Sequence, residues 1–249
     1  MDSVSGYLLL ILAGLVAGVL NVVAGGGSFL TLPILIFMGL PPSVANGTNR
    51  LGIVAQDLAA VATFDKNRVL DRSAAIWAAL PATAGAGLGA WLALGVSEQL
   101  FQRLLAVLMV VLSVASLWLP QLAGANDREL NRRARMMRTA GFFVVGIYGG
   151  FVQAGVGFLF LAVTSLLGLD LVRGNAVKVL SILPMTGLAL AIFAANDRVE
   201  WATGGILAVG FFVGGLLGAR LTVLKGHRWL QRVVTATILL FAVKLFLAR

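Results

Sequence analysis

The chain has 249 residues, 59% of them hydrophobic and only 12% charged, with a mean hydropathy of +0.97. A soluble domain is nearer half apolar and a quarter charged, so charge this sparse excludes a soluble enzyme, a secreted disulfide scaffold and a DNA-binding domain. The net charge of +9 reads as basic residues gathered in cytoplasmic loops by the positive-inside rule, with no nucleic-acid partner.

In chain order, Met1 to Gly6 carries Asp2 and no Lys or Arg, so the basic start of a signal peptide is missing. The apolar stretch that follows is expected to stay in the mature protein. No charge appears after Asp2 until Arg50, which is too long for one crossing of about 20 residues. Gly25-Gly26-Gly27-Ser28 and Pro41-Pro42 interrupt it. The pattern predicts a helix over 7–23, a short helix over 28–38 and a long helix over 43–64. The short piece would rise about 17 Å, roughly half a bilayer. Spans are expected at 73–95 and 100–120, then a polar, Arg-rich segment at 124–138. Helices over 139–152, 156–168, 171–194, 200–221 and 229–247 complete an all-α polytopic membrane protein. It has about eight spans plus short broken or re-entrant helices, and no strand alternation of an outer-membrane barrel.

The two halves repeat each other. At an offset of about 129 residues, Asn46 falls on Asn175, Phe64 on Phe193, Asn67 on Asn196, Gly85 on Gly214, Gly89 on Gly218 and Gln102-Arg103 on Gln231-Arg232. With small gaps Gly14 and Gly18 match Gly146 and Gly150, Asn21 matches Gln153, and Gly25 and Gly27 match Gly155 and Gly157. The units are a first repeat over 1–123, a basic cytoplasmic linker over 124–138 and a second repeat over 139–249. Charge gives their relation. If the segment bearing Arg128, Arg132, Arg133, Arg135 and Arg138 is cytoplasmic, the 65–72 loop (Lys66, Arg68, Arg72) and the 220–228 loop (Arg220, Lys225, Arg228) are cytoplasmic too. The 96–99 loop and the 195–199 loop then lie outside. Each repeat therefore crosses an odd number of times, the repeats are inverted, and both termini are external in a cell (inner) membrane. The Gly-x-x-x-Gly pairs at 14/18, 85/89, 146/150 and 214/218 read as helix-packing interfaces.

Catalysis is not expected. There is no cysteine, and the lone histidine, His227, lies between Lys225 and Arg228. Ser28 and Ser181 have no evident base. Neither a metal nor a cofactor is expected.

Two broken-helix openings carry the functional signal. Gly25-Gly26-Gly27-Ser28 leads into one short helix, and Gly155-Val156-Gly157 into its counterpart. A helix start presents unpaired N–H groups and partial positive charge, and two such starts from inverted repeats converge near the midplane. Arg50 sits about two turns into its helix and Lys178 at similar depth in the equivalent one; a cation there costs about 2.5–3.5 kcal/mol on insertion scales and marks a site or a pair. The predicted anion site is Asn21, Gly25, Gly26, Gly27, Ser28, Asn46, Asn49, Arg50, Gln153, Gly155, Gly157, Asn175 and Lys178, with Gln56 a further neutral ligand. Alternatively, Arg50 pairs with Asp57 at i, i+7, although about 10 Å separates them. Asp57, the only acid well inside a span, is a candidate for proton coupling. Lys178→Ala is expected to weaken anion binding without unfolding the protein. The partners are a small anionic substrate, the lipid bilayer and protons as a candidate coupling ion; oligomeric state is left open.

The motifs resemble those of TauE/SafE sulfite exporters (the TSUP family) over essentially the whole chain. Asn21 through Gly25-Gly26-Gly27-Ser28 with Pro33, then Ala45-Asn46 and Thr48-Asn49, resembles the family's first-half motif. Gly146, Gly149-Gly150, Gly155 and Gly157, then Gly174-Asn175 and Lys178, resembles the second, although this chain's second glycine turn is shorter. The resemblance implies a secondary transporter of a sulfur oxyanion or organosulfonate, sulfite-like in character. The alternatives are a carrier for a carboxylate or nucleobase and, further off, a membrane-integral enzyme or structural subunit.

Overall fold

The computed structural model describes residues 4–118, 132–165 and 171–247. Among these the chain is all-helical: α1 (Val4–Val23), α2 (Ser28–Phe37), α3 (Pro42–Lys66), α4 (Arg72–Leu94), α5 (Glu98–Trp118), α6 (Arg132–Phe151), α7 (Val156–Ser165), α8 (Leu171–Ala194) and α9 (Trp201–Leu247). Helix α9 is two helices joined at Gly226, whose φ of 68° and ψ of −166° break the run. Among the described residues, four stretches are long and apolar enough to cross a bilayer: Gly6–Val23, Arg72–Leu94, Val172–Ala194 and Trp201–Gly226.

Two boundaries differ from the sequence reading. Helix α6 starts at Arg132, inside the segment read as linker, because Arg, Ala and Met are good helix formers whatever their polarity. The loop expected at 220–228 is instead helix, broken by one positive-φ glycine, Gly226. Residues 166–168 and 119–120, read as helix ends, lie outside the described residues, as do the side chains of His227 and Trp118.

The helices form two sets of opposite direction. In the first, Gly14 of α1 lies against Leu207 and Phe211 of α9, and Gly18 against Gly214. Helix α3 follows the same course, with Thr48 at Gly204, Gly52 at Phe211 and Gln56 at Gly215. In the second set, Gly85 and Gly89 of α4 meet Phe143 and Ile147 of α6, and Ser181 of α8 donates to the Ala75 carbonyl of α4. The sets meet head to tail: Gly47 at the start of α3 touches Phe193 at the end of α8 and Arg198 in the loop beyond it, while Phe64 at the end of α3 clusters with Ala176 and Val179. Since α1 and α3 are parallel, the ten-residue α2 between them turns the chain back by about 15 Å, half the depth of a hydrocarbon core. Helix α7 does the same between α6 and α8.

Close backbone approach explains the small residues. A Cβ on Gly85 would stand 2.1 Å from the Phe143 carbonyl oxygen, and one on Gly146 2.1 Å from that of Ala82. The buried face of α4 is Ala75, Ala78, Ala82, Ala86, Ala90 and Ala93 around Gly85 and Gly89. Without water to drive apolar association, such van der Waals contact holds helices together in lipid. Many large apolar side chains point outward, among them Leu12, Leu80, Trp91, Phe212 and Leu217, while Asn46, Arg50, Gln56, Asp57, Gln153 and Lys178 lie inside. Trp77, Trp91 and Trp201 are each more than half exposed near helix ends, as interface anchors are; Trp229 instead packs on Val23.

The Pro41-Pro42 turn, the 96–99 loop and the 195–199 loop share one face. There the Glu98 carboxylate accepts from Ser43 N at 3.0 Å, from the Ser43 hydroxyl and from Arg198 Nη1. Glu98→Ala is expected to lower stability by about 1 kcal/mol or less, since Arg198 and Glu98 are each about one-third exposed. The unfolding midpoint measured beside Arg198→Ala and the double variant checks this: a shared contact predicts no further loss in the double. Glu200 on the same face caps α9. Burial pushes its carboxyl up, but hydrogen bonds from the Thr203 side chain and from the Thr203 and Ala202 N–H groups outweigh that and hold it below its ordinary value. On the opposite face Asp65 pairs with Arg72 at 2.8 Å and Arg135 stacks on Trp77 at 4.5 Å.

Candidate functional site

The two glycine turns meet at mid-depth. Gly25 takes a φ of 95° and Gly155 one of 72°, left-handed values that L residues rarely adopt. The backbones then touch: a Cβ on Gly157 would lie 2.4 Å from the Gly25 Cα. Phe29 and Phe158, just inside α2 and α7, stack with ring centroids 6.3 Å apart. Helices α2 and α7 therefore begin side by side, and both starts line a narrow cavity of about 20 Å³, room for a single water. Asn21, Gly25, Ser28, Gln56, Asp57, Gln153, Gly157 and Lys178 supply its polar and glycine wall; Ile53, Val156, Val179 and Ile182 supply the apolar part.

The ends of α1 and α6, just before these turns, leave carbonyls that no helical N–H can reach. In α1, the Leu20 carbonyl accepts from Ala24 N and Gly25 N. Lys178 Nζ donates to the carbonyls of Asn21 at 3.0 Å and Val22 at 2.9 Å, and Asn175 Nδ2 to that of Val23 at 3.4 Å. In α6, the Tyr148 carbonyl accepts from Val152 N. Arg50 Nη1 donates to the Gly149 carbonyl at 3.0 Å, Arg50 Nη2 to that of Gly150 at 2.6 Å, and Asn46 Nδ2 to that of Phe151 at 3.0 Å. A cation and an Asn from α3 thus close the broken end of α6, and a cation and an Asn from α8 close that of α1. Positive charge at a helix C-terminus is also electrostatically favourable.

This arrangement separates the two cations. Lys178 lines the cavity. Arg50 does not: it donates to Gln153 Oε1 at 2.8 Å and packs 4.9 Å from the Phe193 ring centroid. Arg50 makes no ion pair with Asp57, which accepts from Gln56 Nε2 at 2.8 Å. Of the other predicted residues, Asn21, Gly25, Ser28, Gln153, Gly157 and Asp57 line the cavity, while Gly26, Gly27, Asn46, Asn49, Gly155 and Asn175 stand behind it. Asn21 Oδ1 accepts from Gly27 N at 2.6 Å and fixes the first turn. Asn49 holds Ser28 Oγ at 3.1 Å and accepts from Thr31 Oγ1 at 2.6 Å. Gln153 donates to Thr186 Oγ1 at 3.1 Å, and its N–H to Asn46 Oδ1 at 3.2 Å. Thr31 and Thr186 escaped the sequence reading, since a lone Thr in an apolar helix gives no signal.

A bundle with an apolar exterior, a polar interior and four membrane-length apolar helices defines an integral membrane protein. The chain belongs to the sulfite exporter TauE/SafE family, whose model matches residues 10–245. It is 29% identical to the "Probable membrane transporter protein YfcA" of Escherichia coli (strain K12), over 95% of this chain and 88% of that one. A "Probable membrane transporter protein" of Haemophilus influenzae is 26% identical over 95% and 93% of the two chains, and one of Xylella fastidiosa (strain 9a5c) 30% over 87% and 83%. No solved structure matches significantly. The relatives carry the name of probable membrane transporters, and this chain is a transmembrane transporter of the TauE/SafE family.

Proposed function

We propose that the protein is a secondary transporter for a small anion, a sulfur oxyanion or organosulfonate, and that the cavity between the two glycine turns is its binding site. The observation that carries this reading is the meeting of two helix starts beside the Lys178 ammonium, which together favour negative charge. The family supports the sulfur chemistry.

The two halves are inverted repeats around this site. In support, α1 runs opposite to α6, α3 opposite to α8, and each half's cation closes the other half's broken helix. Transport is alternating access, in which the halves rock about the cavity. The protein sits in the inner membrane, with the face carrying Lys66, Arg68 and Arg72 cytoplasmic and both termini external. Asp57 couples flux to protons.

Thermal unfolding of the detergent-purified protein against sulfite, thiosulfate, sulfonates, carboxylates and nucleobases at fixed ionic strength tests the substrate. The midpoint is expected to rise selectively with the sulfur anions; at 100-fold excess over the dissociation constant the stabilisation is about 2.7 kcal/mol. A response confined to carboxylates or nucleobases would replace the substrate class. In vesicles loaded with the protein, flux should depend on a proton gradient and lose that dependence in Asp57→Asn; unchanged dependence would remove Asp57 from coupling.

A further inference from the structure

Among the described residues, two acceptor atoms in the cavity wall have no hydrogen-bond partner. Gln56 is 2% exposed and Asp57 1%. Gln56 Nε2 already donates to Asp57 Oδ1, and this leaves Gln56 Oε1 and Asp57 Oδ2 without a hydrogen bond. Buried polar atoms in native proteins are nearly always paired, so each such orphan calls for an explanation. These two lie on neighbouring residues of α3 and line the same cavity as Lys178.

The wall is therefore of mixed character. Lys178 and the helix starts suit an anion. A carboxylate oxygen and an amide oxygen suit a hydrogen-bond donor and repel a bare oxyanion. A metal cation would satisfy the two oxygens, but the Lys178 ammonium on the same wall opposes it. A single water, for which the cavity has room, would satisfy the two oxygens when the site is empty; a ligand that displaces it must supply a donor to them and negative charge to Lys178.

We infer that the substrate is an anion that carries its own O–H or N–H group, and that Asp57 and Gln56 are the specificity-determining residues that accept from it. The negative end faces Lys178 and the glycine turns. The donor faces Gln56 Oε1 and Asp57 Oδ2. Protonated single-centre oxyanions such as hydrogen sulfite, and hydroxy- or ammonio-sulfonates, have this character; simple alkyl sulfonates do not. A cavity that holds one water does not hold a sulfonate, so its entry requires the site to widen. The inference rests on the cavity being the sulfur-anion site.

The test compares 2-hydroxyethanesulfonate with propane-1-sulfonate, which have the same charge and nearly the same shape and differ in one hydroxyl. Both are titrated calorimetrically into the full-length, detergent-purified chain at one pH and ionic strength. The hydroxyl-bearing ligand is expected to bind at least about tenfold more tightly, because its O–H pairs one of the buried acceptors and the other ligand pairs neither. Asp57→Asn, and separately Gln56→Leu should the first fail to fold, is expected to shrink that ratio. Equal affinities in the unaltered protein would overturn the inference and leave the sulfur-anion reading standing. If neither sulfonate binds, the inference falls, and the midpoint response to sulfite and thiosulfate decides the sulfur-anion reading separately. A tenfold ratio unchanged in the folded variant would remove Asp57 and Gln56 as its readers.

Discussion

Gly25→Ala is expected to abolish transport and to lower stability by about 2–5 kcal/mol. Two separate costs combine at this position. The backbone holds a φ of 95°, which any side chain strains. The new Cβ would also stand 2.5 Å from the Gly157 carbonyl carbon, so the starts of α2 and α7 would have to move apart. Two companion variants separate the costs. Gly39 has nearly the same φ, 97°, and nothing within 4 Å of its would-be Cβ, so Gly39→Ala should show the strain alone, about 1–2 kcal/mol. Gly157→Ala meets the Gly25 Cα at 2.4 Å with no left-handed φ, and should show the contact alone. Unfolding midpoints of the three variants in detergent, beside flux in vesicles, check the argument. A Gly25→Ala loss no larger than that of Gly39→Ala would mean that the two glycine turns do not touch.

Lys178→Met is expected to remove ligand-induced stabilisation and to lower stability by about 2–4 kcal/mol, because the buried carbonyls of Asn21 and Val22 lose the ammonium that donates to both. The sequence alone predicts the first effect without the second. Arg50→Met should be as destabilising, since three hydrogen bonds to Gly149, Gly150 and Gln153 disappear. Its effect on ligand affinity should be the smaller of the two, because Arg50 stands behind the cavity wall. Midpoints with and without sulfite distinguish the variants. Equal losses of ligand response would place Arg50 back in the site.

Much of this architecture is legible in the chain because glycine and proline punctuate apolar runs. Gly25 to Ser28 and Gly155 to Gly157 mark the helix breaks, and the spacing of Gly85, Gly89, Gly146 and Gly150 marks where helices touch. Depth is legible too: the charges of Arg50, Asp57 and Lys178 stand out against their surroundings, and all three prove buried. What a buried cation binds is not legible. Lys178 bonds to backbone carbonyls about 156 residues away, and a carbonyl has no residue identity by which a sequence could announce it. For the same reason the sequence places Arg50 and Lys178 in one role, although only Lys178 reaches the cavity. The start of α6 was hidden differently: Arg132 to Arg138 looks like a loop by polarity while its residues favour helix.

The crossed closure of the broken helices has a consequence for the order of synthesis. When α1 leaves the ribosome, no donor exists for its Asn21, Val22 and Val23 carbonyls; those donors are Lys178 and Asn175. Val22 and Lys178 are 156 residues apart, so at about 5–20 residues per second the N-terminal hairpin waits roughly 8–30 s for its partner. During that interval the open carbonyls must be met by water, by lipid headgroups or by the insertion machinery. The first half is therefore not a self-sufficient folding unit. If the gene were cut between the halves, the N-terminal fragment should be degraded when made alone and rescued when the C-terminal fragment is made beside it.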